Sequence, residues 1–319
     1  MIEYVDFRAD KERRYTDIQR SELTNGEYVT IHIDNGNEEM SFRKYLPAEG
    51  KRVSLDITPY CRAVVRGTPV NFFDSGDKMT AYYDNGMAGL IQIEYGDEDF
   101  ASSYEPYGSV KDVGYLTKLP YFLVSRSGDS VDPIIFSIFT WDDDKMTIYC
   151  GQDELEIKDN GNNDTILLQL DGNTECVEMS SLVYGEDIDR YEIPVRIVPR
   201  GMNTRRLIWR NEMGGYDAWC FEFLRESNFA TSSEVFYSSM DGYTRTNRKS
   251  ERLHTVETRE LDDRTAEVVA YVMASPEVYV WDYESEKAVP IDIVTEECRT
   301  YSDTELSGVQ VSYRKRKRE

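Results

Sequence analysis

The sequence predicts a mainly β protein of two or three antiparallel sandwich- or barrel-like domains, the C-terminal one covered by a single α-helix. Three observations carry this prediction. Apolar residues recur at period two in short runs along the chain, the spacing that places side chains on one face of a strand. Asx-Gly turns separate several of those runs, as at Asn160-Gly161 and Asp171-Gly172. One convincing helical stripe stands among them, with Val268, Val269, Val272 and Met273 on one face.

The strands follow in order. Residues 28–33 alternate and run into the turn cluster Asp34-Asn35-Gly36-Asn37. Residues 52–57 alternate again and lead into Thr58-Pro59, an N-cap followed by a proline at the first helical position, which predicts a short helix. Residues 82–83 enter an Asp84-Asn85-Gly86 turn, and residues 90–95 form a further strand. A polar, turn-rich stretch over 96–114 marks the first expected boundary. Strands resume at 121–124, 134–140, 146–150, 155–157, 165–170 and 191–198, and Pro199-Arg200-Gly201-Met202-Asn203 reads as a second linker. The expected domains are therefore 1–112, 113–199 and 200–319.

The last third opens on the most distinctive segment. Leu207-Ile208-Trp209-Arg210-Asn211-Glu212-Met213-Gly214-Gly215-Tyr216-Asp217-Ala218-Trp219-Cys220-Phe221-Glu222-Phe223 reads as two aromatic-rich strands around a tight turn. Trp219, Phe221 and Phe223 share one face by their spacing, and Trp209 covers that face from the other strand. Gly214 and Gly215 supply positive φ for the turn. Substitution of Gly215 or Trp219 is expected to harm folding before any binding. A polar connection follows near 238–250. The helix then starts at Asp262 or Asp263 and stops at Ser275-Pro276. Strands at 278–283, 289–294 and 309–313 close the domain.

Composition narrows the function classes. The 319 residues carry 60 Asp+Glu against 37 Lys+Arg, a net charge of -23. That disfavours nucleic acid, whose grooves are bound by neutralising phosphates with Lys and Arg, and it disfavours anionic membrane surfaces. The cations are concentrated at the end. Arg314-Lys315-Arg316-Lys317-Arg318 is an unbroken run, and residues 1–313 hold 32 Lys+Arg against 59 Asp+Glu, a difference of -27. This run reads either as a solvated terminus or as an interaction tail for the acidic face of a neighbouring copy. Neither a secretory leader nor a membrane-spanning apolar run is visible, which predicts synthesis in the cytoplasm without membrane insertion.

Catalytic equipment is sparse. The two histidines, His32 and His254, have no nucleophile motif beside them. Five dispersed cysteines without a C-x-x-C pair predict reduced, mostly buried thiols rather than a disulfide framework or zinc site. The acidic turns Trp141-Asp142-Asp143-Asp144-Lys145 and Asp159-Asn160-Gly161-Asn162-Asn163-Asp164 lack EF-hand spacing and read as Asx turns. No phosphate-loop or dinucleotide fingerprint occurs. No catalytic, metal or cofactor residue is predicted, and abundant Tyr and Trp leave carbohydrate stacking as the alternative activity.

Two segments together resemble a family. The pattern Trp209-x-Asn211-x-x-Gly214-Gly215-Tyr216-Asp217-x-Trp219-x-Phe221 is similar to the hairpin of tail-associated structural proteins of phages and prophages of Bacteroidetes-type bacteria. Met273-Ala274-Ser275-Pro276-Glu277-Val278-Tyr279-Val280 resembles that group's helix-to-strand junction, and Leu55-Asp56-Ile57-Thr58-Pro59-Tyr60-Cys61-Arg62 a further element. The resemblance implies a non-enzymatic virion component near the tail, tail tip or baseplate, built from β-domains that pack into rings. Its partners would be copies of itself and other tail proteins. A carbohydrate- or receptor-binding β-sandwich module is the alternative. The resemblance carries no active-site residues.

Overall fold

A computed structural model describes residues 2–10, 13–20, 27–34, 39–47, 51–65, 79–84, 89–95, 98–104, 114–115, 117–139, 145–158, 163–170, 174–183, 186–238, 242–295 and 307–316. The predicted turns at 35–37, 85–86, 141–144, 159–162 and 171–172 lie outside the described residues, as does Cys298.

The chain is mainly β and largely antiparallel, as its alternation requires. The first strands are β1 (Ile2–Asp10), β2 (Arg13–Arg20), β3 (Tyr28–Asp34), β4 (Glu39–Tyr45) and β5 (Arg52–Asp56). Helix α1 (Thr58–Val65) and strands β6 (Met79–Asp84), β7 (Gly89–Tyr95) and β8 (Glu98–Tyr104) follow. Helix α1 begins at Thr58, with its first helical bond running from Cys61 N–H to Ile57 O at 3.1 Å, and the predicted cap residue is itself held by Asp56, whose Oδ1 accepts the Thr58 N–H at 3.0 Å. Sheets β1-β2-β5 and β4-β3-β7-β8 enclose one core, in which Ile18, Val29, Ile31, Val53, Leu55 and Ile93 meet Cys61 and Val64 of α1.

Next come β9 (Gly114–Tyr115), β10 (Phe122–Ser127), β11 (Ser130–Val131), β12 (Ile134–Phe139), β13 (Lys145–Cys150) and β14 (Asp153–Lys158). Then follow β15 (Asn163–Leu168), β16 (Cys176–Val183) and β17 (Glu186–Pro199). Sheets β6-β15-β12-β9 and β11-β10-β17-β16-β13-β14 form a second sandwich around Phe122, Phe136, Ile148, Ile166 and Met179. The β10–β17 pair is parallel. Strand β6 belongs here, although it precedes residue 112. Strand β8, which pairs with β7, also occupies part of the 96–114 stretch that sequence polarity suggests is a boundary.

The last region holds β18 (Arg205–Arg210), β19 (Tyr216–Phe221), β20 (Phe223–Ser238) and β21 (Gly242–Leu261). Helix α2 (Asp263–Ala270), a 3-10 turn at Tyr271–Met273, β22 (Val278–Asp282), β23 (Lys287–Ile293) and β24 (Ser307–Lys315) complete it. The sheet order is β19-β18-β22-β23-β24-β21-β20. It curls: the Trp219 indole N–H on β19 donates to Thr258 Oγ1 on β21 at 3.3 Å, so the first strand returns to the sixth and nearly closes a barrel. Alternate residues of the barrel strands fill the interior, among them Leu207, Trp209, Trp219, Val280, Val309 and Val311. Helix α2 adds Ala266, Val269 and Val272 to that core. Asp262 is its N-cap, its carboxylate accepting Thr265 N–H at 2.9 Å and Thr265 O–H at 2.7 Å.

The predicted polar connection at 238–250 is instead mostly strand, part of the 20-residue β21. The reason is local. Residues 242–252 pair only with β20 among the described residues, because the β21–β24 pairing ends at Leu253–Arg314. The sequence of this stretch is polar and lacks apolar alternation, so it does not announce a strand. The ribbon continues for ten residues of β20 (229–238), which at strand rise is roughly 33 Å.

Candidate functional site

The Leu207–Phe223 segment is the β18–β19 hairpin, with Leu207 opposite Trp219 and Trp209 opposite Asp217. Its turn is organised by Asn211. The Asn211 side-chain oxygen accepts the N–H of Met213 at 3.0 Å and of Gly215 at 3.1 Å, while Asn211 N–H donates to Gly215 O at 2.8 Å. Gly214 N–H closes a turn on Asn211 O, and Gly214 sits at φ +89°, where an L side chain is strained. Gly215 does not take positive φ, so only one of the two predicted glycine roles is realised. Trp209, Trp219 and Phe221 point together into the barrel, all fully buried. Phe223 does not join them. The chain leaves β19 at Glu222, the alternation resets, and Phe223 is 43% exposed under the Arg259 guanidinium.

The opposite face of the hairpin packs on the middle sandwich. Ile208, Tyr216 and Ala218 meet Ile135 and Leu167, and Tyr216 N–H donates to Ser137 Oγ at 2.8 Å. This is why all six residues of β19 are buried.

Two buried ionic clusters pin this arrangement, and both contain residues that the sequence reading passed over. In the first, Arg210 Nε donates to Glu277 Oε2 at 2.8 Å, Nη1 to Gly214 O at 2.8 Å and Nη2 to Tyr216 Oη at 2.8 Å. Tyr216 O–H donates to the same Glu277 oxygen at 2.6 Å. Glu277 is held in turn by Ser275, whose hydroxyl donates to Glu277 O at 2.7 Å. In the second, Asp132 accepts from Ser125 N–H at 2.9 Å and from Arg200 Nη2 at 2.5 Å, with Arg206 Nη1 3.7 Å away and Cys220 Sγ at 3.4 Å. A charged residue inside an apolar strand was the available signal: Arg206 and Arg210 flank Leu207-Ile208-Trp209.

These clusters do not resemble reaction centres chemically. Burial beside Asp132 pushes the Cys220 thiol up to about 12, so it stays protonated and a poor nucleophile at neutral pH. The Asp217 carboxyl, fully buried next to Thr117 and Asn211, is pushed up to about 7 by desolvation. His32 does lie between Ser41 Oγ at 2.7 Å and Glu94 at 3.0 Å, in nucleophile–base–acid order. That line crosses β4, β3 and β7 on a sheet face, where β3 spends its backbone N–H groups on ladders to both neighbours. Among the described residues no cluster of three His, Cys, Asp or Glu is placed to hold a metal ion. Nor is any described helix long and apolar enough to cross a membrane.

The basic terminus is not a free arm where it is described. Arg314 and Lys315 belong to β24, opposite Leu253 and Ile291, and Arg314 and Arg316 both reach Asp292, the latter at 3.0 Å. Lys317 and Arg318 lie outside the described residues.

No protein-family model matches the chain, and no curated protein matches it. Among solved structures it is similar to domains 4–9 of the surface layer protein SbsC, at 8% identity and a TM-score of 0.22. The match covers 98% of this chain and 43% of the other, so the chain spans less than half the length of that structure. No shared fold or function rests on overlap at that level. The residues themselves therefore carry the functional reading.

Proposed function

We propose that this chain is a non-enzymatic structural subunit of a phage or prophage particle, associated with the tail, tail tip or baseplate, that assembles through contacts between β-domains. The observation that carries the reading is the β20–β21 ribbon. Its outer part pairs with no third strand among the described residues, and an isolated two-stranded ribbon is marginally stable in water. Its unpaired edges are the kind of surface that takes up another chain. Bound to a different patch on the next copy, such a ribbon makes a heterologous contact, which closes into a ring when the rotation permits.

The resemblance supports the virion assignment, and the chemistry supports the non-enzymatic part. Both motifs that carry the resemblance meet in one internal bond network, Arg210 with Glu277, and the turn residues Asn211 and Asp217 also line a small cavity of about 250 Å³. The test is proteomic. Particles purified after induction of the host that encodes this chain should contain it in amounts comparable to other tail proteins. Its absence from those particles would overturn the virion reading.

One observation favours the alternative, a carbohydrate- or receptor-binding module. Tyr28 and Tyr45 are exposed together on the N-terminal sheet, ring centroids 5.8 Å apart, with the Arg43 guanidinium over Tyr28. A glycan array that gave binding lost on Tyr45→Ala would support that reading.

A further inference from the structure

Among the described residues the barrel is plugged at one end by α2 and open at the other. Alternation carries the interior series past its apolar part. On β18 the inward positions run Trp209, Leu207, Arg205; on β22 Val278, Val280, Asp282; on β24 Val311, Tyr313, Lys315; on β21 Val256, His254, Arg252. The last member of each series lies at the open mouth, which encloses about 610 Å³. That volume is within the roughly 300–1,000 Å³ of small-ligand sites, and barrel mouths commonly hold them.

The mouth is chemically unlike the rest of the molecule. Arg205, Arg252, Arg314, Lys315 and Arg316 line it, against Asp282 and Glu284. Asp282 is committed to the turn that follows, accepting Glu284 N–H at 3.3 Å and Ser285 O–H at 2.9 Å. Asp292 meets Arg314 and Arg316 from outside the lining. A local excess of cations thus persists in a chain whose net charge is -23. Tyr313 and His254 stack at 5.3 Å inside the mouth. The walls are held in place, since Arg205 Nη1 donates to Thr204 O at 2.7 Å and to Met202 O at 3.0 Å. Of the lining aromatics, Trp281 and Tyr313 are buried, Tyr313 against His254, and the Tyr283 ring is covered by the Arg200 guanidinium at 4.2 Å, so charge rather than stacking selects the ligand.

We propose that the open mouth of the C-terminal barrel is a binding site for a multiply charged oxyanion ligand, one bearing phosphate, sulfate or several carboxylate groups. This goes beyond the assembly reading and does not depend on it. Guanidinium groups from separate strands converge on one concavity, the arrangement that favours bidentate oxyanion contacts. His254 reports on occupancy. Burial and then the nearby Arg252, Arg205 and Lys315 charges lower its pKa, and a bound anion offsets those charges and raises it.

The experiment is calorimetric titration of the full chain with pyrophosphate and, separately, with sulfate at low salt, with His254 followed by NMR. Wild type should bind pyrophosphate more tightly than sulfate, weaken as salt rises, and show an upward shift of the His254 pKa on binding. Arg252→Gln/Lys315→Gln alters exposed side chains and should lose at least about tenfold in affinity. Lys51→Gln/Arg52→Gln, an equal change in net charge at exposed positions of the N-terminal region, should leave binding unchanged. The proposal is overturned if wild type binds neither anion, if the mouth variant binds as wild type does, or if the distant variant loses as much. Binding that leaves the His254 pKa in place would also overturn it.

Discussion

Arg210 and Glu277 form a buried ion pair that joins the β18–β19 hairpin to the start of β22, 67 residues later in the chain. The bond is more than a side-chain contact, because Arg210 N–H also donates to Glu277 O at 3.0 Å. The hairpin and the Ser275-Pro276-Glu277 junction, separate motifs in sequence, are two halves of one structural unit.

Breaking that pair from one side should be costly. Glu277→Gln leaves a fully buried guanidinium without its counter-charge, and losses of roughly 3–5 kcal/mol are expected for such changes. Replacing both partners with apolar residues of similar volume should recover most of the loss. Urea unfolding of the two single variants and the double variant measures this, and additive losses would contradict it.

The turn makes a sharper demand on Gly214 than on Gly215. Gly214→Ala forces a Cβ into φ +89° and should cost on the order of 1–3 kcal/mol. Thermal unfolding of the two alanine variants would compare them for backbone strain, with Gly214→Ala expected to melt lower.

Trp219 closes the barrel as well as filling it. Trp219→Ala removes a fully buried indole and the bond to Thr258, an expected loss of about 3–5 kcal/mol. Hydrogen exchange should then rise along β19 and the inner half of β21 together. Exchange confined to β19 would mean that the two edges are not coupled.

Asp217 should make stability depend on pH. Its folded carboxyl titrates at about 7, above the ordinary 3.8, so the folded state keeps a proton that the unfolded chain releases. The associated stability is full below about pH 4 and is lost as pH rises towards about 7, by on the order of 4 kcal/mol at most. Asp217→Asn should flatten that part of the stability profile. Parallel profiles for variant and wild type would contradict the assignment.

How much of this was legible in the sequence follows from what each residue faces. Strands with one buried face, such as β3, β5 and β24, display their alternation and were readable. So was α2, because Asp262, the Val269–Val272 stripe and Pro276 are local signals. The outer part of β21 was not readable, since residues 242–252 pair only with β20 among the described residues and show no apolar alternation in sequence. In the hairpin, Trp209, Trp219, Phe221 and the turn glycines could be singled out from spacing. Their ionic partners could not, because Glu277, Asp132 and Arg200 reach the hairpin only through tertiary contacts. The basic run at 314–318 suggested a tail because charge alone does not reveal that its first residues pair with β21 and β23.

The assembly reading meets its most direct test in the ribbon itself. A variant lacking residues 231–250, with the strands rejoined by Asn-Gly, removes the outer ribbon and leaves the barrel's paired positions in place. Sedimentation velocity of wild type and variant, alongside thermal melting of both, separates assembly from folding. The account predicts that wild type forms a defined oligomer, while the variant melts at a similar temperature and stays monomeric. A wild type that remains monomeric at high concentration, or a ribbonless variant that assembles equally well, would contradict it.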